Sequence, residues 1–515
     1  MINDFTINFL NVFKFHQNLP EILLKVILFI QYTNIMEFKR DRLVSQIKTL
    51  NYNDLKIFLI PVIVFSIYLG VFNPGIATID TFNQLHQIAS GHFTNWHPFF
   101  HTFIEMLCLR IYPSTLSVCI LQILVFSLMW TAICKYNRDD NAKSSKTFKI
   151  QVIFTAIICL IPMNGLYSVT LWKDVLFSYF IMFLCFLAMV MIDKKGDVDY
   201  KFIILISLIM AFIAELRGNG MYVIIITVVI YSAYLFWKRN TKMGALLLIL
   251  TMTFILLISS LNIAYDVEDN EKDAAMTKVV HMLADYYLNM DIEDADKNKI
   301  KEVLNKGEIK DHYMPTGTDP ILGITNIKHY ENNKETYIGL ALKYSLKDPL
   351  HCLQYLFGSS PMVWNIVRDH WIGRPYYMSG EQDRLQSDFN AYYDKHKYTP
   401  TTPFENLSYA NWGTPAFDFL NNMALGIEGC ILDTILNNPA LYMYLSIILL
   451  ILIQIMVKSK EIYLMYVPNL LNIVMIFLST PIQDYRYLYA NLLVCYLLFI
   501  IYIGMRQRFR DNPAD

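Results

Sequence analysis

Ten stretches of the 515-residue chain have the length and apolar character of bilayer spans: 55–72, 114–134, 149–165, 171–192, 201–216, 219–237, 243–264, 438–457, 461–480 and 486–505. A span-length apolar helix satisfies its own backbone but must place its side chains in hydrocarbon or a protein core, and ten of them exceed what one soluble core can hold. The composition agrees, with 55% hydrophobic residues and a mean hydropathy of +0.35. The expected fold is an all-α polytopic membrane protein with about ten transmembrane helices.

Charge gives these helices a direction. Short cytoplasmic loops retain Lys and Arg, and here every even-numbered exit is basic. Lys135, Arg138, Lys143 and Lys146 follow the second span, Lys194 and Lys195 the fourth, and Lys238, Arg239 and Lys242 the sixth. Lys458 and Lys460 follow the eighth and Arg506, Arg508 and Arg510 the tenth, while Lys39, Arg40, Arg42, Lys48 and Lys56 precede or open the first. The opposite loops carry little positive charge, and 73–97 carries none. Both chain ends are therefore expected in the cytoplasm of a cell membrane. The alternation also decides 98–112. As an extra span it would invert every later loop, so it is expected as an amphipathic helix on the outer surface. A shorter apolar stretch, 22–30, reads as interfacial.

The net charge of −1 hides a division. Residues 266–438 hold 16 Lys and Arg against 26 Asp and Glu; the remainder holds 27 against 18. That pattern fits a basic membrane part carrying an acidic extracytoplasmic insert, and nothing in it points to nucleic acid. The expected organisation is an N-terminal cytoplasmic or interfacial segment (1–54), a transmembrane module (55–264) with a first outer loop (73–113), the acidic domain (265–437), C-terminal spans (438–505) and a cytoplasmic tail (506–515). The insert reads as mainly helical, with Met276, Val279, Val280, Leu283, Tyr286 and Tyr287 at helical spacing, loops at 313–325 and 398–415, and a stretch, 350–367, apolar enough to lean on the membrane.

The outer ends of the spans collect polar residues from four separate loops. These are Asp80, Gln84, His86, His92 and His97 in the first, Trp172-Lys173-Asp174 in the second, Arg217-Gly218-Asn219-Gly220 in the third and Asp484-Tyr485-Arg486-Tyr487 in the last. Taken singly, each has a structural account. Lys173 and Arg486 can snorkel, Asp174 can pair with Lys173, Arg217 can anchor to headgroups, and Asp80 can sit at the start of a helix over 78–89. Taken together, they offer a base and several cations at one level of the membrane. Asp80 is the sole carboxylate of 73–98 and has no cation near it in sequence, which predicts a proton affinity high enough for a general base. His97, His101 and Glu105 recur at i, i+4 and i+8 and offer a divalent-metal alternative.

The run from Asn73-Pro74-Gly75 through Asp80 to His97-Pro98 resembles the entry loop of the GT-C superfamily of membrane glycosyltransferases. Trp172-Lys173-Asp174, Arg217-Gly218-Asn219-Gly220 and Asp484-Tyr485-Arg486-Tyr487 extend the likeness to an uncharacterised bacterial branch that uses polyprenyl-phosphate sugars. The resemblance covers most of the membrane part and none of the acidic domain. It implies a GT-C-like fold and sugar transfer from a polyprenyl-phosphate donor to an extracytoplasmic acceptor such as a cell-surface glycan, glycolipid or protein. Asp80 would then be the base, Lys173, Arg217 and Arg486 the donor-phosphate ligands, and Gln84, His97, Asp174, Asn219 and Asp484 supporting or acceptor-binding residues. The rival expectations are a polymerase or ligase of lipid-linked glycans, and a transporter or lipid flippase without enzymatic activity.

Overall fold

A computed structural model describes residues 51–138, 145–268, 274–367, 431–479 and 484–511, with isolated positions within 415–423 and at 481. The interfacial helix expected at 22–30 and, but for Pro415, the loop expected at 398–415 lie outside them. The membrane module runs α1 (Tyr52–Val71), α2 (Ile79–Ser90), α3 (Phe99–Ile111), α4 (Leu116–Tyr136), α5 (Ser145–Leu160), α6 (Pro162–Ser168), α7 (Lys173–Asp193), α8 (Tyr200–Leu216), α9 (Gly218–Trp237) and α10 (Thr241–Ala264). The insert contains α11 (Ala274–Asn289), α12 (Asp294–Val303), α13 (Lys334–Lys347) and α14 (Pro349–Ser359) among shorter turns. The chain returns through α15 (Pro439–Val457), a 3-10 segment (Lys460–Tyr466) that runs into α16 (Val467–Ser479), and a second one (Tyr485–Leu488) that runs into α17 (Tyr489–Asp511).

Among the described residues there is no strand, and eight helices are long and apolar enough to cross a membrane. This is a multi-pass, all-helical membrane protein. Two of the ten expected spans differ in form. The third is broken into α5 and α6, which meet at 73°. Pro162 cannot continue the helical ladder, and the Asn164 amide donates to the Ile158 carbonyl at 2.7 Å, satisfying an acceptor at the break. Gly165 lets α6 close on α1, since a Cβ there would lie 2.3 Å from the Tyr68 ring. The fifth span, α8, has only 17 residues. It starts where Asp199 caps it by accepting from the Phe202 N–H at 2.8 Å.

α7 forms the axis of the bundle. Its span window is 100% buried, and it packs against α4, α8, α16 and α17. A helix apolar on every side has to be enclosed, by protein or by lipid. Here protein encloses it, which fixes Lys173 and Asp174 at one end and Asp193 at the other.

The loops at the two ends of the bundle sort as the charge alternation requires. At the basic end, buried Asp54 at the start of α1 pairs with Lys135 at 3.2 Å and with Arg138 beyond α4. Tyr136 donates to Asp193 at 2.6 Å, and Lys238 pairs with Glu461 at 2.6 Å. At the other end, Ile76 and Thr170 form a parallel bridge that joins the exits of α1 and α6, and a second bridge, Thr94 to Glu268, joins the first loop to the exit of α10.

α3 is the helix expected over 98–112, and its 13 residues are too few for a span. It packs against α4, α8 and α10. His101, Thr102 and Glu105 are buried, whereas Leu107 and Ile111 are exposed. The buried side takes Phe99, Met106, Cys108 and Leu109 together with these polar residues, and the exposed side carries Arg110 between Leu107 and Ile111.

The insert has its own core, built from Met276, Val280, Leu283 and Tyr286 of α11 with Ile300 and Val303 of α12 and Tyr337 and Tyr344 of α13. Residues 313–325, expected as loop, include a short helix, Asp319–Ile324, whose Ile321 and Ile324 join this core.

Replacing Asp54 with Ala leaves Lys135 and Arg138 buried without their shared carboxylate. The expected loss is about 3 kcal/mol, read as a lowered thermal midpoint of the detergent-purified protein.

Candidate functional site

The site begins with how Asp80 is held. Gly75, at a φ of +126° with the Cys119 sulfur 2.6 Å from where a Cβ would stand, turns the chain out of α1. Ile76 then bonds both ways with the α6–α7 loop: its N–H donates to Val169 at 2.8 Å, and its carbonyl accepts from Leu171 at 3.0 Å. The Thr81 hydroxyl donates to the Leu171 carbonyl at 2.9 Å, and the Trp172 indole donates to the Thr78 hydroxyl at 2.8 Å. The first turn of α2 and the Trp172-Lys173-Asp174 turn are thus stapled together. Asp80, in the first turn of α2, faces the head of α7.

Arg486 arrives from the far end of the chain. Its Nη1 donates to Asp80 Oδ2 at 2.6 Å, and its Nε lies 2.8 Å from Asp484 and 3.8 Å from Asp174. Lys173 Nζ is 3.8 Å from Asp80 Oδ2 and 3.0 Å from His97 Nδ1, and His97 Nε2 is 3.9 Å from Asp80 Oδ1. Beneath them Arg217 pairs with Asp174 at 3.0 Å. Tyr487 lies against both guanidiniums, 4.6 Å from that of Arg217 and 5.1 Å from that of Arg486, with Phe177 and Trp172 covering other faces at 5.2 and 5.0 Å. Three carboxylates and three basic side chains balance around a mostly buried centre, whose Lys173 and Arg486 side chains are each 14% exposed.

Three readings of single residues change. Asp174 pairs with Arg217 and not with its neighbour Lys173. Lys173, Arg217 and Arg486 neither snorkel nor anchor to headgroups, because all three turn inward to carboxylates. Asp80 does have cations close by, brought from other loops. Burial would raise its proton affinity, but Arg486, Lys173 and His97 outweigh that and hold its carboxyl well below the usual range, so in this state it is a weak base. Its position in the first turn of a helix is as the sequence suggested, but its carboxylate is engaged with Arg486.

The remaining sequence-selected residues divide into layers. Gln84 is one step removed from Asp80. Its amide donates to Thr102 at 3.0 Å and meets His101 Nδ1 at 3.1 Å, and His101 lies 3.6 Å from Glu105. Burial pushes His101 down to about 3 and Glu105 well up, so both favour their neutral forms. His97 turns instead toward Lys173 and Asp80, so the proposed His97, His101 and Glu105 set is split. Among the described residues no three His, Cys, Asp or Glu side chains gather as metal ligands. His92 lies 3.4 Å from Glu268, and Asn219 donates to Asn472 at 3.3 Å, partners that are not members of the charged centre. Thr78 and Thr81 were not singled out, and Tyr487 only as part of a motif, although threonines three apart at a helix start and tyrosines flanking an arginine are readable signals of capping and of cation–π packing.

Comparison with known proteins adds little chemistry. A family model described as a family of unknown function, DUF6020, matches residues 92–337. The match includes Lys173, Asp174 and Arg217 but neither Asp80 nor Arg486. No curated protein and no solved structure matches the chain.

His97 gives the site a pH signature. Burial, with Lys173 beside it, lowers its imidazole from 6.5 to about 4, so between those values the unfolded chain binds a proton that the folded one refuses. Stability therefore falls as pH drops through that window. Thermal midpoints recorded from about pH 7 to about pH 4 should fall more steeply for the wild type than for His97→Gln, by up to about 3 kcal/mol across the window.

Proposed function

We propose that the chain is an inverting membrane glycosyltransferase that moves a sugar from a polyprenyl-phosphate carrier to a hydroxyl of an extracytoplasmic acceptor. The observation that carries the reading is the contact of one carboxylate, Asp80, with two cations from different loops, Arg486 at 2.6 Å and Lys173 at 3.8 Å, at one rim of the bundle. The basic loops gather at the opposite rim, and by the positive-inside rule the Asp80 rim and the insert face outward.

Transfer needs a proton acceptor for the incoming hydroxyl and positive charge for the departing phosphate. In this scheme the acceptor oxygen gives its proton to Asp80 and attacks the anomeric carbon. The bond to the carrier phosphate breaks, and the phosphate leaves with the electron pair toward Arg486 and Lys173. The weak basicity of Asp80 while Arg486 and Lys173 hold it has a direct counterpart here. A donor phosphate competes for the cations that hold the carboxylate ionised, so seating the donor raises the proton affinity of Asp80. The base then becomes competent when there is something to transfer. Arg217, locked on Asp174 between aromatic rings, is placed to hold the cationic floor in position.

A pyrophosphate-linked donor would engage the same two cations, so the test uses both classes. The purified protein is incubated with radiolabelled polyprenyl monophosphate and diphosphate sugars and acceptor pools, with and without divalent cations. Transfer is expected from a monophosphate donor, and Asp80→Asn should lower it by at least about 100-fold with expression unchanged. Arg486→Gln should weaken donor binding as well as turnover. Turnover retained by Asp80→Asn overturns the base assignment. Transfer from diphosphate donors alone favours the polymerase or ligase reading, and no transfer from either class overturns the enzymatic one.

A further inference from the structure

We propose that the insert is seated in the outer leaflet through an apolar ridge on α13 and α14, so that the bilayer itself is the ridge's partner. Both helices are apolar on two faces. The inner face of α13 places Tyr337, Leu340, Ala341 and Tyr344 in the insert core, and α14 places Tyr355 against His281. The second faces carry Leu342 and Leu346 on α13 and Leu350, Leu353 and Phe357 on α14, at helical spacing and between 47% and 78% exposed. The insert is acidic as a whole, and a water-facing surface on such a domain has no use for five large exposed apolar side chains on two successive helices.

The occupant is indicated by what the ridge runs into. The Phe357 ring packs 5.1 Å from Phe477 near the end of α16, and the Ser360 hydroxyl donates to the Phe477 carbonyl at 3.3 Å. Tyr444 of α15 donates to the Trp364 carbonyl at 2.8 Å. The ridge therefore continues into the outward faces of α15 and α16, where Ile448 and Leu478 are 53% and 46% exposed and where a spanning helix meets lipid. Lys343 and Lys347 do not interrupt it: Lys343 pairs with Glu293 at 3.0 Å and Asp296 at 2.8 Å, and Lys347 donates to the Asp291 carbonyl at 3.0 Å. An apolar strip flanked by polar groups and continuous with a transmembrane surface matches the interfacial helix that lies in the plane of a leaflet.

The test uses the full-length protein in lipid nanodiscs, with Cys352 and Cys430 replaced by Ser and a nitroxide on a single introduced cysteine. Leu346→Cys, Leu350→Cys and Leu353→Cys probe the ridge, Ile448→Cys marks the lipid face, and Lys310→Cys marks water. Collision with lipid-soluble oxygen and with an aqueous nickel chelate is then compared. The ridge labels should show oxygen-over-nickel ratios near that of Ile448→Cys and well above that of Lys310→Cys. Nickel access equal to that at Lys310→Cys overturns the proposal. Protection from both reagents also overturns it, with spin–spin broadening that fades on dilution identifying a second copy of the chain and its absence identifying a covering segment of the same chain. None of these outcomes depends on sugar transfer.

Discussion

The arrangement hangs on one guanidinium. Arg486 meets carboxylates from three segments, Asp80 of α2, Asp174 of α7 and its near neighbour Asp484, and so ties the loop after α1 to the loop before α17 across 406 residues. A buried cation without such partners would be costly, and so would each of the carboxylates. Their mutual satisfaction is what allows charge to concentrate at the rim of an apolar bundle. The aromatic faces of Trp172 and Tyr487 cover the guanidinium, and the Tyr487 hydroxyl also accepts from its Nη2 at 3.4 Å.

Much of this was legible in the sequence, because apolar run lengths and the alternation of Lys and Arg report the solvent, and in a membrane the solvent dictates topology. Once the topology was set, Asp80, Lys173, Arg217 and Arg486 had to lie toward one rim. Which cation meets which carboxylate was not legible. Lys173 and Asp174 are adjacent in the first turn of a helix, where successive side chains diverge by about 100°, so neighbours in sequence address different partners. The proton affinity of Asp80 was misjudged for a related reason: its cations are 93 and 406 residues away in the chain. The break between α5 and α6 was signalled by Pro162, but its angle depends on Asn164 and on the fit of Gly165 against Tyr68, which are tertiary facts.

α3 contributes buried polar groups as well as apolar ones. Its His101, Thr102 and Glu105 join Gln84 in a polar layer behind the charged centre. That layer is shut off from solvent and favours neutral forms, so Asp80 and Lys173 are backed by groups that carry dipoles but little charge. The field at the centre is then set almost wholly by the three cations and three carboxylates.

The shortness of α8 carries a geometric consequence. At about 1.5 Å per residue its 17 residues extend about 25 Å, less than the roughly 30 Å of a hydrocarbon core. Its start is pinned at the basic rim by Asp199 and the neighbouring lysines, so the other end, where Arg217 stands, falls short of the far headgroups unless the bilayer pinches inward to meet it. Either way, a membrane around this bundle would hold the charged centre in a depression of its surface. A lipid-borne headgroup would reach it by moving laterally and slightly downward, without leaving its leaflet.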